Sequence, residues 1–273
     1  MDYGPFGFME EYDPLFAKWT GSGQHFGFLN QPSAAFANYG VLVESVVPVI
    51  AAAQGRAEHE TIQNDFLEKA QVIFQNKVNE VFRIKLGFHR DQDAADDVWE
   101  ALEPLLRNSR VDYTLFFREL SYIVRDTPNL FDDTDETITA QTLLTRLIGD
   151  DNVREGSSPF YEALTEELKT KWISWIQMWR SVLKTCCNDG SGSNNVDAVA
   201  QKMLQLNPKY VLREWMLVEA YQKATHEKDE GELLALYNLI QHPYDEGTTY
   251  ESDKYYRRAP DDALVTGGTA FMS

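Results

Sequence analysis

The sequence contains little cysteine and no cluster of metal-binding side chains. Its 273 residues include two cysteines, adjacent as Cys186 and Cys187, and neighbouring cysteines rarely form a disulfide because the ring that they close is strained. A framework of structural disulfides is therefore excluded, and a reducing compartment is expected. The five histidines are scattered, and none has the His-x-x-x-His or Cys-x-x-Cys spacing that is typical of a zinc site.

Basic residues are also scarce. Lys and Arg together number 25, against 43 Asp and Glu, and the formal net charge is -18. Binding to nucleic acid depends on clustered Lys and Arg that neutralise phosphates, and an anionic membrane surface attracts the same side chains. We therefore expect neither nucleic acid nor a membrane as a partner, and we interpret the acidity as a contribution to solubility.

Long apolar runs are missing as well. The most apolar run, residues 41–53, is interrupted by Glu44 and Pro48, and it is shorter than the roughly 20 residues that a membrane-spanning helix needs. No transmembrane helix is predicted from it. The N-terminus has neither the basic residues nor the apolar stretch of a signal peptide.

The sequence has the periodicity of helices and lacks the patterns of strands. Apolar residues three or four positions apart recur along most of the chain after residue 36, and no convincing strand run appears. The fold class is therefore predicted to be mainly α. The predicted helices start near Phe36 and continue as Thr61–Leu86, Asp91–Arg107, one capped by Asp112, Thr137–Ile148, Phe160–Lys184, Val196–Leu206, Val211–Ala224 and Glu230–Gln241.

Breaker residues and apolar faces add detail to this scheme. Pro48 is expected to kink or end the first helix, and Gly87 is expected to stop the second. Asn207-Pro208 is expected to start a helix with proline in its first turn. The three tryptophans of the Phe160–Lys184 helix are interpreted as core residues, although they could also line a ligand site.

The chain opens with a candidate metal-binding motif. Asp2-Tyr3-Gly4 has the shape of the kinase Asp-Phe-Gly element, in which the carboxylate holds the Mg²⁺ that bridges nucleotide phosphates. Taken alone, such a tripeptide is more often a surface turn, and on these residues both interpretations stay open. The Gly/Ser/Asn-rich segment Asn188–Asn195 is interpreted as a flexible loop, because no Gly-Lys-Ser/Thr follows it as in a phosphate-binding loop.

Longer blocks resemble the selenoprotein O family, also called the YdiU-like family. The resemblance spans nearly the whole chain and corresponds to the C-terminal half of the family's proteins. The blocks are Asp2–Phe8, Glu11–Pro14, Asn30–Pro32, Asn207–Arg213, Gln241–Glu246 and Tyr255–Pro260.

The resemblance implies the helical C-terminal lobe of a kinase-like fold and an enzyme that transfers AMP from ATP to Ser, Thr or Tyr hydroxyls of proteins. It implies Mg²⁺ or Mn²⁺ as the cofactor, with Asp2 as the metal ligand close to the ATP phosphates. The family's catalytic base and its other nucleotide-binding residues would precede Met1, so this stretch alone is expected to be inactive. The implied location is mitochondrial in a eukaryote and cytoplasmic otherwise.

On this basis the chain is predicted to divide into three parts. Residues 1–40 would hold the metal motif and a region like an activation segment, residues 41–243 the helical lobe, and residues 244–273 an irregular tail. The alternative is a non-catalytic helical interaction or scaffold module descended from that lobe. At the chain ends, we expect the natural protein to begin upstream of Met1. Ser273 is either the last residue or is followed by a selenocysteine whose codon has been read as a stop.

Overall fold

The structure, a computed structural model, describes residues 9–16, 27–55, 59–88, 93–132, 134–149, 156–187, 196–261 and 263. Helices dominate these ranges, and the extended residues form only two isolated bridges there, Glu11 with Asp112 and Val111 with Phe160. The prediction of a mainly α fold is confirmed. The α-helices are α1 (Gln31–Gln54), α2 (His59–Lys85), α3 (Asp93–Asn108), α4 (Tyr113–Arg125), α5 (Ala140–Ile148), α6 (Glu166–Cys187), α7 (Val196–Leu206), α8 (Glu214–Gln222), α9 (Gly231–Gln241) and α10 (Thr249–Tyr255).

Local sequence signals set several helix ends. Asp112 caps α4 as predicted, because its side chain accepts a hydrogen bond of 2.9 Å from a backbone amide in the first turn. Thr139 and Thr142 form a reciprocal capping box at the start of α5, which ends at the predicted Gly149. The predicted bounds of α7 and the predicted end of α9 are also confirmed.

Contacts divide the described chain into two compact units. The first unit contains residues 13–82, with α1 and most of α2, and the second contains residues 9–12 and the chain from residue 83 onward. Each unit has a hydrophobic core of its own. The predicted division of the chain at residues 40 and 243 stays a prediction.

In the first unit, α1 and α2 pack through a narrow apolar stripe. Val43, Val47 and Ala51 of α1 are buried together with Ile62 of α2. These α1 residues are four apart, so they lie on one face of the helix. Much of the remaining apolar surface of α1 is exposed, and Val49, for example, keeps 71% of its surface accessible.

Helix α1 is longer than predicted. It begins at Gln31 rather than near Phe36, since Pro32 lies in the first turn, where its missing amide hydrogen is not needed. It also continues through Pro48 to Gln54, because the packing of the stripe offsets the loss of one helical hydrogen bond.

The greater length of α1 bears on whether this helix could cross a membrane. With its preceding 3₁₀ turn the helix spans Phe28–Gln54, and in the described part of the chain it is the one helix long and apolar enough to cross a membrane by length and composition. The apolar helix is therefore longer than the run of residues 41–53 considered from the sequence, because it continues through Pro48. That no transmembrane helix is present stays a prediction. Buried core helices pass the same test, so the finding does not place the chain in a membrane.

Helix α6 supplies the centre of the core in the second unit. Its three tryptophans, Trp172, Trp175 and Trp179, are buried, which confirms their interpretation as core residues. Helices α3 and α5 pack against α6, and α4 packs against α7. Each indole N–H donates a hydrogen bond, and the acceptors are Ser109 Oγ at 2.9 Å, Val98 O at 3.0 Å and Leu86 O at 2.9 Å.

The predicted start of α6 is wrong. The helix begins at Glu166 rather than at Phe160. Phe160 lies in the isolated bridge with Val111, and its ring packs edge-on against Trp172 with 5.4 Å between ring centroids. Tertiary packing therefore holds Phe160 in extended backbone, although its spacing from the tryptophans fits a helical face.

Two predictions near the C-terminal end are also wrong. Asn207-Pro208 does not start a helix: the amides of Lys209 and Tyr210 donate to the Pro243 carbonyl, at 2.7 and 3.1 Å, and α8 begins only at Glu214. The segment after residue 243 is not wholly irregular either. It contains α10, which a capping box formed by Thr248 and Glu251 starts.

Candidate functional site

The predicted metal ligand Asp2 lies outside the described residues, which begin at Met9. Within the described ranges, no group of three or more His, Cys, Asp or Glu side chains could hold a metal ion. The structure does describe how the chain that follows Asp2 is held, and it describes where the sequence blocks Asn207–Arg213 and Gln241–Glu246 come together.

The four residues Met9–Tyr12, here called the anchor segment, are fixed to the loop before α4. The Tyr12 amide donates to the Val111 carbonyl at 2.7 Å, and the Tyr113 amide donates to the Glu10 carbonyl at 3.1 Å. Tyr12 is buried, and its ring stacks on Tyr113 with 5.8 Å between ring centroids. Backbone and side-chain contacts therefore both hold the anchor segment in place.

A buried ion cluster fastens the anchor segment further. The Arg213 guanidinium donates to both carboxylate oxygens of Asp112, at 2.7 and 2.9 Å, and it also donates to Glu10. Asp112 has no exposed surface and Arg213 keeps 2% of its own. We call Glu10, Asp112 and Arg213 the Arg213 cluster. Arg213 therefore connects two elements: it binds Glu10 of the anchor segment, and it binds Asp112, which is also the cap of α4.

Burial and charge oppose each other in the Arg213 cluster. Burial lowers the pKa of Arg213, but the carboxylates of Asp112 and Glu10 outweigh that effect and raise the pKa above its ordinary value. Arg213 is therefore charged at any physiological pH. With two carboxylates around one guanidinium, the cluster has one negative charge more than neutrality requires.

A second ion pair holds the other side of the anchor segment. Arg110 donates to Glu11 at 3.0 Å and also donates to Glu162. Hydrogen bonds to these two carboxylates raise the pKa of Arg110. The Arg110 side chain is 44% exposed, so water screens this pair and it contributes little to stability.

The two C-terminal blocks meet at a second buried arginine. Arg118 of α4 donates to the carbonyls of Leu204 and Asn207, each at 2.9 Å. It also donates to the Tyr244 carbonyl at 3.1 Å and to the Glu246 carboxylate at 2.8 Å. One side chain, 1% exposed, therefore connects the Asn207 block with the Gln241–Glu246 block.

Asn207 and Lys209 complete this second group, the Arg118 cluster. The Asn207 amide nitrogen donates to the Lys85 carbonyl at 2.9 Å, and the Lys85 ammonium donates back to the Asn207 side-chain oxygen at 3.1 Å. Burial lowers the pKa of Lys85 to about 8. Lys209 donates to the Glu246 carbonyl at 2.6 Å and to Ser252 at 2.9 Å, so these contacts join the motif blocks to α2 and α10.

Both clusters have a structural role in the fold. Their cations donate hydrogen bonds to carboxylates and carbonyls and, in the case of Lys209, also to the Ser252 hydroxyl. The Arg213 cluster positions the anchor segment, and the Arg118 cluster holds together the blocks around α4.

These blocks carry the family resemblance, but the sequence alone predicts no role for their polar residues. The available signal was the presence of Asn207, Lys209 and Arg213 beside apolar or aromatic neighbours, which is unusual for exposed loops. That pattern indicates buried polar groups, but it does not identify their partners.

The two units also contain cavities. In the first unit, Pro32, Phe74 and Val81 are among the residues that line an apolar cavity of about 430 Å³, and its charged lining residue Lys77 is paired with Glu80. In the second unit, residues of α5 and of the segment between α4 and α5 line a cavity of about 280 Å³ whose walls are both polar and apolar. The apolar cavity suits apolar atoms better than the phosphates of a nucleotide.

Comparison with known proteins gives a consistent result. The family model described as protein adenylyltransferase SelO matches residues 1–241. A protein nucleotidyltransferase YdiU of Flavobacterium johnsoniae is 30% identical over 278 residues, which cover 100% of this chain and 46% of that protein. YdiU of Aliivibrio salmonicida is 29% identical, with 92% of this chain and 42% of the relative covered.

A YdiU protein of Vibrio vulnificus is 27% identical over 256 residues, with 92% of this chain and 43% of the relative covered. The chain therefore spans slightly less than half the length of these curated relatives.

Proposed function

The chain belongs to the protein adenylyltransferase SelO family, and from this premise we propose that it is part of a Mg²⁺-dependent enzyme that transfers AMP from ATP to Ser, Thr or Tyr hydroxyls of proteins. The family match over residues 1–241 carries the proposal. Because the chain spans less than half of its relatives, the activity is proposed for the whole natural protein.

In the proposed reaction the hydroxyl oxygen of the protein substrate attacks the α-phosphorus of ATP. A bond forms between that oxygen and the α-phosphorus, the bond from the α-phosphorus to the oxygen bridging to the β-phosphate breaks, and pyrophosphate leaves. The hydroxyl proton passes to a base of the whole natural protein. Bound Mg²⁺ supplies neutralisation of the phosphate charge.

The residues of this chain would contribute metal binding and positioning. Asp2 offers a carboxylate, the ligand type that Mg²⁺ takes in proteins, and Mg²⁺ commonly uses one or two carboxylates together with substrate phosphates and water. The anchor segment begins seven residues after Asp2. We further propose that the helices form the C-terminal lobe of a kinase-like fold, and that the protein is mitochondrial in a eukaryote and otherwise cytoplasmic.

Labelled ATP tests this function in the natural protein that carries the chain. We expect label from the α-phosphate of ATP to enter protein substrates, and label from the γ-phosphate to stay out, because AMP and not phosphate is transferred. We expect Asp2→Ala to lower the transfer rate about 100-fold or more, since metal binding contributes several kcal/mol to such reactions. Asp253→Ala, at an exposed position of α10, is the matched control and should leave the rate unchanged.

Two results would contradict the proposal. Transfer of the γ-label would indicate a kinase, and undiminished transfer by the Asp2→Ala variant would exclude Asp2 as a metal ligand. Absence of any transfer by the natural protein would favour the alternative, a non-catalytic helical interaction module.

A further inference from the structure

We propose that the exposed face of α1 binds a helix from the part of the natural protein that lies outside this chain. The inference goes beyond the proposed function, and it does not depend on AMP transfer. It rests on described residues of the first unit and on the share of the related proteins that the chain covers.

The exposed face of α1 has the spacing of a helix–helix contact. Seven residues of α1 follow one another at alternating steps of four and three, which is the periodicity of a coiled-coil seam. We call them the α1 seam: Gln31, Ala35, Asn38, Leu42, Ser45, Val49 and Ala52. From Asn38 onward every seam residue is exposed, and Leu42 and Val49 keep 56% and 71% of their surface accessible. The buried stripe that packs with α2 lies on the opposite side of the helix.

At its N-terminal end the α1 seam leads into the apolar cavity of the first unit. The first three seam residues line this cavity together with Phe74 and Val81 of α2. Its volume of about 430 Å³ is in the range of cavities that bind apolar groups. A helix that lies along the α1 seam could therefore place a large apolar side chain in the cavity, and the alanine and serine residues of the seam would let it approach closely.

The composition of the α1 seam favours protein over lipid as its cover. The seam includes the polar side chains Asn38 and Ser45. The Ser45 hydroxyl donates to the Leu42 carbonyl at 2.7 Å, but the exposed amide of Asn38 would lose its hydrogen bonds with water in hydrocarbon. A facing helix can supply a partner to such an amide, and a polar residue at one seam position fixes the register of two helices.

The length of the related proteins points to the source of this helix. The chain covers 46% of the Flavobacterium johnsoniae protein and 42% of the Aliivibrio salmonicida protein, so more than half of each relative has no counterpart in this chain. A segment of the same polypeptide has a higher effective concentration at the seam than a second molecule has. We therefore expect the α1 seam to be buried within the natural protein.

The test compares the alkylation of two cysteine variants of the natural protein. Val49→Cys lies on the α1 seam. Val72→Cys is the matched control, because Val72 is 61% exposed and lies on the face of α2 that carries the ion pair of Asp65 and Lys69.

In the folded natural protein we expect iodoacetamide to alkylate Val49→Cys at least about tenfold more slowly than Val72→Cys, because a covered site reacts only when the structure opens locally. Mass spectrometry of the peptides that contain each position measures the two rates, which should be equal in urea. Equal rates in the folded protein would overturn the inference.

A second measurement identifies what covers the seam. A diazirine analogue of leucine in place of Leu42 forms a crosslink on illumination with the group that lies against it. We expect crosslinks within one molecule, to residues of the natural protein outside this chain. Crosslinks to a second copy, to lipid or to residues of this chain, or reaction with water alone, would overturn the inference. Neither measurement records AMP transfer, so both remain valid if the proposed function fails.

Discussion

Gly87 shows how much of the second unit depends on the backbone of one residue. It follows α2 with φ +91°, and the Phe88 and Gly87 amides donate to the Arg83 and Ile84 carbonyls, at 2.9 and 3.1 Å. These two hydrogen bonds form a Schellman motif, which closes a helix through a residue in a left-handed conformation. Gly87 therefore ends α2, as predicted from the sequence.

The space around Gly87 predicts a large effect of Gly87→Ala. The added methyl carbon would lie 2.8 Å from Met203 Sδ, 3.1 Å from Leu183 and 3.2 Å from Val199, and all three side chains are buried. Backbone strain of about 1–2 kcal/mol and overpacking of a further 1–3 kcal/mol should together lower the free energy of unfolding by about 2–5 kcal/mol. Chemical denaturation followed by circular dichroism measures this loss.

Gly55→Ala is the matched control for that substitution. Gly55 ends α1 with φ +65°, but nothing lies within 4 Å of the methyl position, so only the backbone strain of about 1–2 kcal/mol should remain. Equal losses in the two variants would show that packing at Gly87 adds nothing to the effect.

At the scale of elements, one carboxylate joins the last helices of the second unit. Glu232 of α9 accepts hydrogen bonds of 2.6 Å from both Lys254 and Tyr255 of α10, and one of 3.1 Å from Lys223 after α8. Burial alone would raise the pKa of Glu232, but these hydrogen bonds lower it to about 2. The junction of α8, α9 and α10 therefore depends on the charge of Glu232.

This junction predicts a pH-dependent loss of stability in Glu232→Gln. A carboxyl whose pKa is lowered by folding stabilises the fold above its unfolded pKa, and that stabilisation disappears as the pH falls through the folded pKa. The variant should be less stable than the wild type by about 2 kcal/mol near neutral pH. The difference should shrink from pH 4.5 downward and vanish near pH 2.

Unfolding of both proteins at a series of pH values checks this expectation. Glu230→Gln, an exposed residue at the N-terminal end of α9, should show no such trend. A difference between wild type and Glu232→Gln that is constant over the whole range would assign the stabilisation to packing instead of charge.

Elements with strong local signals could be predicted, and those determined by distant partners could not. The bounds of α7 and the ends of α2 and α9 depend on periodicity and on breakers beside the helix. The extended course of residues 207–213 depends on Pro243, which accepts two amide hydrogen bonds from positions more than 30 residues earlier in the chain. Neither propensity nor periodicity records such a contact.

At the scale of the whole molecule, contacts between residues far apart in the chain also limit what the sequence predicts about the candidate site. Asp2 was predicted from a contiguous block that resembles a known family. The Arg213 cluster was not predicted, since the arginine meets Asp112 and Glu10 across 101 and 203 residues of chain. A single sequence shows that such an arginine is unusual for its surroundings, but the fold is needed to show what it holds.

Two properties of the whole chain act in opposite directions at a membrane. The charge of -18 repels anionic lipids, whereas an 18-residue stretch of the Phe28–Gln54 helix has a mean hydropathy of 1.6 and little buried surface. Insertion would place Glu44 in hydrocarbon, at a cost of about 3 kcal/mol, and would remove Val43, Val47 and Ala51 from their contact with Ile62. We therefore expect no stable association with lipid.

Flotation with lipid vesicles tests this expectation, and it separates the effect of the net charge from the effect of the apolar helix α1. The protein should stay in the aqueous fraction with vesicles of phosphatidylcholine alone and with vesicles that also contain phosphatidylserine. Flotation with the neutral vesicles only would show that α1 partitions into lipid while the charge opposes it. Val49→Asp then identifies the helix, because Val49 is 71% exposed and a charge there should abolish partitioning without disturbing the core of the first unit. Flotation that survives Val49→Asp would place the lipid contact elsewhere in the protein.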